Sequence, residues 1–547
     1  MPSPPRILIY LLRRDLRLAD NPVLHEIAKA AASPDAPFTH LLPLYVFSCA
    51  QIEVSGFLRS STARSPFPEA RSPVAGFWRC GPHRATFLAE SVWELKSALG
   101  TVGSGLEIRV GRPGEVVREI VEGLELGGGQ VAGVWMTNEE GQEEKEEERD
   151  IQEYAKGAGK EFRRFLDEKY LVDDRDLPFR NPQELPDVFT SFRKSVEPLH
   201  SAARPVLPTV RNLPPLPPAI PAQSAPFKIP HDLPSLTTAL LAPLHPSLGL
   251  SQPPKMPMTG AASAHPFRGG SSHAHARLAH LLSSGAASSY AATRNEMLGT
   301  DGSTKFSAWL ALGCITARQI DAALGEAENP GTRGIRFELL WRDYMRLCAR
   351  KFGVRLFRLW GFRGVEGAWK SPASAQPAIA RFLEGRTGMG LVDASMRELF
   401  LTGYTSNRAR QNVASFLAQR LGIDWRVGAE WYECTLVDYD VSSNWGNWQY
   451  VAGVGNDPRG GGEGRVFNQV KQGHDYDLRG EYMKSWVEEL RPVKRVEGVW
   501  SAWVLSERER AEAGLKGLQW VEEPLVKIQW GGKGGGKGKR QGGRKPK

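Results

Sequence analysis

An α/β N-terminal domain built on a parallel, doubly wound sheet, followed by an all-α C-terminal domain, is the architecture this sequence predicts. Three observations predict it. Short apolar runs alternate with helical stretches through the first 195 residues, prolines crowd the middle of the chain, and from His273 onward the pattern is helical. Thirteen of the sixteen tryptophans lie after residue 300, so the helical half is rich in large aromatics. A chain of 547 residues, at about 150 residues per domain, holds three or four units at most. The divisions fall at 1–195 for the α/β domain, 196–270 for a proline-rich linker, 271–530 for the helical domain and 531–547 for a Gly/Lys/Arg tail.

The candidate strands are Ile7 to Leu12, Leu41 to Phe47, Leu106 to Val110 and Val131 to Met136, with helical patterns such as Ala85 to Leu99 between them. Strand, helix and strand in succession imply a parallel sheet covered on both faces, which binds ligands at the carboxyl ends of its strands. Gly100, Gly103 and Gly105 are in the wrong order for a dinucleotide fingerprint. Glu139 to Asp150 holds eight acids against Lys145 and Arg149, which reads as a solvated helix face or loop. Pro198 to Pro266 contains 17 of the 39 prolines and cannot be helix interior or central strand at Pro-Pro-Leu-Pro-Pro, 214 to 218. It reads as a long extended linker, draped between two domains or partly loose.

Charge is unevenly placed. The net +9 drops to +2 once the seven basic residues from Lys533 onward are subtracted, so the body is nearly neutral and the tail is the basic element. Five dispersed cysteines with no Cys-x-x-Cys pair exclude a secreted disulfide framework and a structural zinc site, and no metal site is expected. No apolar stretch reaches the ~20 residues of a membrane helix. Met-Pro-Ser-Pro-Pro runs directly into the first strand, leaving no evident signal or transit peptide, so the expected setting is intracellular, in nucleus or cytoplasm.

Four segments carry chemistry. On the helix through Arg336 to Met345, Phe337, Leu340, Tyr344 and Leu347 form a core stripe, while Glu338, Trp341, Arg342 and Met345 share the adjacent face, either a site wall or a plain rim. Asn407, Arg410 and Gln411 share one side of a second helix, where Arg410 could pair with a buried carboxylate or an anion, or lie solvated at a helix start. Asp438 to Trp448 is too rich in Asp, Ser, Asn and Gly to be read as a helix, and suits a polar pocket or an Asx-rich turn. Ser303-Thr-Lys-Phe-Ser307 offers three hydroxyls and an ammonium ahead of a helix, which suits a phosphate.

In order and spacing these segments resemble the photolyase/cryptochrome family, and within it the cryptochromes of the DASH type, in a fungal form. Arg13-Arg-Asp-Leu-Arg-Leu-Ala-Asp-Asn-Pro22 is similar to the family's first strand and turn. Gly81 to Leu88, Leu185 to Ser195, Tyr290-Ala-Ala-Thr-Arg-Asn295, Ser303 to Ser307 and Val392 to Leu399 are similar to segments of the DASH branch. The resemblance spans about residues 6 to 490, interrupted by a linker longer than the pattern requires.

The resemblance implies FAD held bent inside the helical domain. Tyr290 and Ser303, Thr304, Lys305, Phe306 and Ser307 match the phosphate cradle, and Asn407, Arg410, Asp438, Asp440 and Asn444 match the surroundings of the flavin ring, with Arg342 beside them. Asn444 falls where the family contacts flavin N5, and a neutral amide can accept or donate there. Arg410 paired with Asp438 would set a fixed cation near the ring. Trp448, Trp425 and Trp369 match an electron relay, with Trp360 a rival for the outer place. Glu338, Trp341 and Arg408 match contacts to a cyclobutane pyrimidine dimer, and Arg342 and Met345 lie on the same face. Tyr450 and Gln411 stand where duplex-acting photolyases carry Trp and Met, which implies preference for single strands, whose bases need little unstacking.

A second chromophore, 5,10-methenyltetrahydrofolate, is implied between the domains, with Glu143 and Glu144 in the position of its carboxylate contact. The implied activity is light-driven dimer repair in single-stranded DNA by a monomer. The alternative is a blue-light receptor that binds DNA or RNA without appreciable repair, with the Gly/Lys/Arg tail as an RNA-binding, solubilising or nuclear-import segment.

Overall fold

The apolar run at the N-terminus forms β1 (Arg6–Leu12), the central strand of a five-stranded parallel sheet. A computed structural model describes residues 4–197, 203–258, 265–326, 328–457 and 464–529. The other strands are β2 (His40–Ser48), β3 (Glu107–Gly111), β4 (Gln130–Thr137) and β5 (Glu161–Phe165), in the order β3-β2-β1-β4-β5. Ile9 of β1 lies opposite Leu42 of β2 and Val134 of β4. Leu8, Tyr10 and Leu12 enter one apolar cluster, while Ile7, Ile9 and Leu11 enter another, so β1 is buried on both faces. That is why its sequence runs apolar without alternation.

The helices α1 (Pro22–Ala31) and α2 (Pro82–Thr101) bury residues in the first cluster. Their partners α3 (Pro113–Leu126) and α4 (Gln142–Gly157) bury Val117, Ile120, Val121 and Ile151 in the second. Asn21 caps α1 by accepting from the Val23 and Leu24 amides at 3.0 Å, with Pro22 as its first residue. Chain order reverses between β1 and β4, so their carboxyl ends open a crevice toward the helical half.

Two expectations about this region change. The fifth strand, Glu161–Phe165, is an edge with little burial and the sequence EFRRF, so no apolar pattern marks it. The acidic run is not simply solvated. Glu139, Glu140, Glu144 and Glu148 are buried in ion pairs: Arg13–Glu148 at 2.6 Å, Arg14–Glu144 at 2.7 Å, Lys169–Glu139 at 2.6 Å, and Arg350 with Glu140. The acids face arginines from the end of β1 and from the helical half, and that pairing offsets their desolvation.

The short helix α5 (Phe189–Val196) precedes the proline-rich segment, which lies along the α/β domain. The Leu213 amide donates to the Val102 carbonyl at 2.8 Å, the Leu41 amide to Pro215 at 3.0 Å and the Lys228 amide to Phe57 at 2.8 Å. Within the span read as extended, α6 (Leu233–Leu241) forms, capped by Asp232 and seated on α2 through Leu236 and Leu240. A Cβ on Gly56 would come within 1.8 Å of the Ala239 carbonyl oxygen, so only glycine lets α6 pack this closely.

The helical half comprises α7 (Ser271–Ser283), α8 (Ala286–Thr293), α9 (Ser307–Ala311), α10 (Ala317–Leu324) and the long α11 (Pro330–Phe352). It continues through α12 (Gln376–Leu383), α13 (Gly390–Thr402), α14 (Asn407–Ser415), α15 (Trp425–Thr435) and α16 (Val441–Ala452), with further short helices beyond. On α11, Leu340, Tyr344 and Leu347 are buried, while Phe337 is half-buried against Phe189. The segment from Asp438 does become helix: the Asp440 carboxylate accepts from the Ser443 amide at 2.8 Å and caps α16. Its Asp/Ser richness is the signature of a helix start. The basic tail lies outside the described residues. Among those described, no helix is long and apolar enough to cross a membrane, and no cluster of three His, Cys, Asp or Glu suits a metal.

Candidate functional site

A cavity of about 540 Å³ opens between α11, α14, α16 and the 303–307 segment. All the site residues expected from the sequence line it except Arg408, Trp425, Trp369 and its rival Trp360, Glu143 and Glu144.

At one end Ser303, Thr304 and Ser307 supply hydroxyls, and Tyr290 comes from α8. Lys305 has a φ of +59°, in the left-handed region, and its ammonium lies 4.2 Å from the centre of the Tyr404 ring. At the other end Arg410 donates to both oxygens of Asp438, at 2.9 and 3.1 Å, and to the Thr405 carbonyl at 3.0 Å. Burial disfavours the Arg410 charge, but Asp438 outweighs it and holds the guanidinium protonated. Burial also acts to raise the Asp440 carboxyl. Arg342, the Ser443 amide and Arg14 overcome it, so the carboxyl sits below its ordinary range. Asn444 donates from Nδ2 to the Ala429 carbonyl at 2.9 Å, which orients the amide and leaves Oδ1 as its acceptor end.

The mouth is aromatic and polar. Trp341 stacks on Phe189 with ring centres 3.7 Å apart and meets Tyr450 edge-on at 5.9 Å. The Arg465 guanidinium lies over the Tyr450 ring at 4.3 Å, donates to its hydroxyl, and reaches Asp457 at 2.8 Å. Glu338 lies 2.5 Å from the Arg294 guanidinium. Burial pushes the Glu338 carboxyl up, with Arg294 acting against it.

Some side chains serve differently from expectation. Arg342 lines the cavity, yet its guanidinium donates to the Leu310 carbonyl at 2.9 Å and lies over the Tyr170 ring, tying the two halves together. Arg408 lies behind the rim, donating to Gln411 at 3.1 Å and Asn295 at 3.0 Å, with its guanidinium over Tyr476.

Trp448 lines the cavity and packs onto α15, where a Cβ on Gly428 would come within 2.0 Å of its ring. Trp425, the first residue of α15, is fully buried and donates to the Leu359 carbonyl at 2.9 Å. Trp369 is half-buried, and its neighbour Lys370 pairs with the chain just before Trp425 through bonds to Gly422 and Asp424. Trp360 is 46% exposed.

On α4, Glu143 pairs with Arg79 at 2.8 Å and Glu144 with Arg14. Glu147 is different: it accepts from the Ser48 hydroxyl at 3.1 Å, and among the described residues no cation lies within ion-pair distance. Burial pushes its carboxyl up to about 7.

Sequence reasoning passed over Arg294, Tyr404, Tyr432 and Arg465, all of which line the cavity. Arg294 could have been found, since it follows Tyr290 by one helical turn. The others are isolated residues with no local pattern.

The donor set fits a dinucleotide flavin. Hydroxyls and a lysine stand at one end for phosphates, and a fixed cation and an oriented amide stand at the other for a polar heterocycle. Comparison with known proteins agrees. Residues 335–530 match the family described as FAD binding domain of DNA photolyase, and residues 8–215 match DNA photolyase. A Neurospora crassa protein named as a cryptochrome DASH is 47% identical, over 96% of this chain and 76% of that one. The cryptochrome DASH of Xenopus laevis is 40% identical over 96% of this chain and 90% of its own. Among solved structures, a Synechocystis cryptochrome superposes with a TM-score of 0.77 at 34% identity, covering 95% of this chain and 99% of that one.

Proposed function

Because this chain belongs to the photolyase/cryptochrome family, in its DASH branch, we propose that it is a blue-light photoenzyme that repairs cyclobutane pyrimidine dimers, preferentially in single-stranded DNA. One observation carries the proposal: a single cavity holds the Arg410–Asp438 pair inside and Glu338 with Trp341 at its mouth. A site for a redox heterocycle and a site for a splayed base are thus continuous.

FAD, once bound and reduced, would supply the light-driven electron chemistry of dimer opening with no net redox change. The chain's own residues do the rest. Arg410, fixed by Asp438, favours a bound anion without reorganising. Asn444 presents its Oδ1 as a set acceptor. Trp341, made rigid by Phe189, offers a flat face against which the two joined pyrimidines of an extruded dimer can pack. Glu338, whose carboxyl burial pushes toward the neutral form, donates a hydrogen bond to a dimer carbonyl and stabilises charge arriving there. Trp448, Trp425 and Trp369 would relay an electron inward from a reductant in solution when the cofactor is oxidised.

Single strands are preferred because Tyr450 and Gln411 make the mouth partly polar, while flipping a dimer from a duplex costs a few kcal/mol that a single strand has already met. A folate antenna would lie beside α4; Glu143 and Glu144, its expected contacts, are paired with Arg79 and Arg14, and Glu147 with Ser48 offers a carboxyl and a hydroxyl in their stead. The protein is proposed to act as a monomer in nucleus or cytoplasm, with the tail adding RNA or single-strand affinity through charge.

The test is light-dependent repair of one thymine dimer, in a single-stranded oligonucleotide and in the matching duplex, with photoreduced protein. Repair largely confined to the single strand is expected. A yellow protein that photoreduces and repairs neither would overturn the enzyme assignment in favour of a light receptor.

A further inference from the structure

The loop that presents Ser303, Thr304 and Lys305 to the cavity is built from behind by one side chain. Arg277, on α7, is 5% exposed and does not line the cavity. Its guanidinium meets four acceptors of the 300–304 loop: the Asp301 carboxylate at 2.6 Å, the Thr300 carbonyl at 3.0 Å, the Ser303 carbonyl at 3.1 Å and the Thr304 carbonyl at 3.1 Å. His280, one turn further along α7, meets the other Asp301 oxygen at 2.9 Å. The residue after the clamped carbonyls is Lys305, the non-glycine with φ +59°, a conformation that persists only where its surroundings over-determine it.

We propose that Arg277 is the positioning residue of the diphosphate cradle. Resting on the FAD assignment, it fixes the curvature of the 300–305 loop so that the Ser303 and Thr304 groups converge on phosphate. Only a guanidinium serves, because its planar fork of five donors can satisfy three carbonyls and a carboxylate at once, whereas an ammonium reaches fewer acceptors in one plane. The clamp acts on the phosphate end alone. The Arg410, Asp438 and Asn444 end is held by other bonds, to Thr405 and Ala429.

The test compares wild-type protein with R277Q, R277A and the milder D301N, which weakens the same clamp from its half-exposed side. Release of FAD is followed by the rise in flavin fluorescence after dilution, and riboflavin binding by fluorescence quenching. R277Q is expected to release FAD about ten- to a hundredfold faster, the scale of lost charge-assisted hydrogen bonds, while its riboflavin affinity matches wild type. D301N should shift FAD release in the same direction, less far. In R277A, guanidinium at tens of millimolar is expected to slow FAD release again, entering from the outer cleft of about 380 Å³ that Arg277 lines with His265, Arg268 and His280. Urea, neutral and of the same shape, should not. Wild-type FAD release in R277Q and D301N, or equal loss of FAD and riboflavin, would overturn the proposal. A wild-type protein that binds riboflavin and FAD equally weakly would overturn the FAD assignment itself.

Discussion

The Arg294 guanidinium lies 2.5 Å from the Glu338 carboxyl at the cavity mouth. Burial raises the Glu338 carboxyl, and Arg294 is the main force lowering it. Protonated Glu338 is the hydrogen-bond donor, so repair per absorbed photon should fall as pH rises through its folded pKa. R294Q removes the opposing cation and should move that limb to higher pH. E338Q should abolish the limb, and E338A should cut repair about tenfold, the loss of one hydrogen bond to a charged intermediate. A pH profile of single-strand repair for the three variants checks the assignment. An unshifted limb in R294Q would remove Glu338 from that role.

Asp438 is almost fully buried, and its partner Arg410 is three-quarters buried, so the pair cannot be halved without leaving a cation in a poor solvent. D438N keeps the volume and removes the charge. It is expected to destabilise the protein by about 1–3 kcal/mol, less than for a wholly buried pair because Arg410 is partly solvated. Flavin retention should fall as well. Adding R410M should return much of the stability and none of the retention. Urea midpoints and flavin content of the single and double variants separate the two effects.

Trp425 does not line the cavity, so its replacement should leave flavin binding intact. W425F deletes the indole bond to the Leu359 carbonyl and part of a fully buried ring packed against Trp445, at a cost of about 1–3 kcal/mol. Photoreduction under continuous blue light should nonetheless slow at least about tenfold, since an electron would have to jump past the missing ring. W369F and W360F then identify the exit. Slowing in W369F alone fits its position beside the start of α15, and slowing in W360F alone would reassign the outer relay to the exposed ring.

What could be read in the sequence follows what each residue must do locally. β1 was legible because a strand buried on both faces has to be apolar at every position, and α11 because its stripe repeats at helical spacing. β5 was not, since EFRRF at a sheet edge is stabilised by ladder hydrogen bonds and leaves its charges in solvent. The start of α16 was misjudged because Asp440 is a cap, and caps use the same residues as turns. The buried acids of the 139–150 run were misjudged because their partners, Arg13 and Arg14 for Glu148 and Glu144, and Arg346 and Arg350 for Glu140, arrive from far along the chain. The cavity residues were recognisable as a set by resemblance. Arg277 was not, because its four bonds are made to backbone atoms whose place depends on the finished fold.

Glu147 gives a stability signature that can be read without any ligand. Its carboxyl is raised from the ordinary 4.5 to about 7, chiefly by burial, with Arg13 opposing. A carboxyl raised on folding binds its proton more tightly in the native state, so stability is fullest below about 4.5 and is lost as pH rises toward 7. At about 1.4 kcal/mol per unit, and discounting for the partial exposure of the side chain, the loss is about 1–3 kcal/mol. E147Q cannot ionise and should be more stable than wild type by that amount at pH 8, with no difference at pH 4.5. Urea unfolding of the two proteins at both values isolates the effect, since every other titrating group is common to both. Equal midpoints at pH 8 would mean that Arg13 or solvent already neutralises the ionised carboxylate. Glu147 would then be no better placed than Glu143 or Glu144 to meet an antenna ligand.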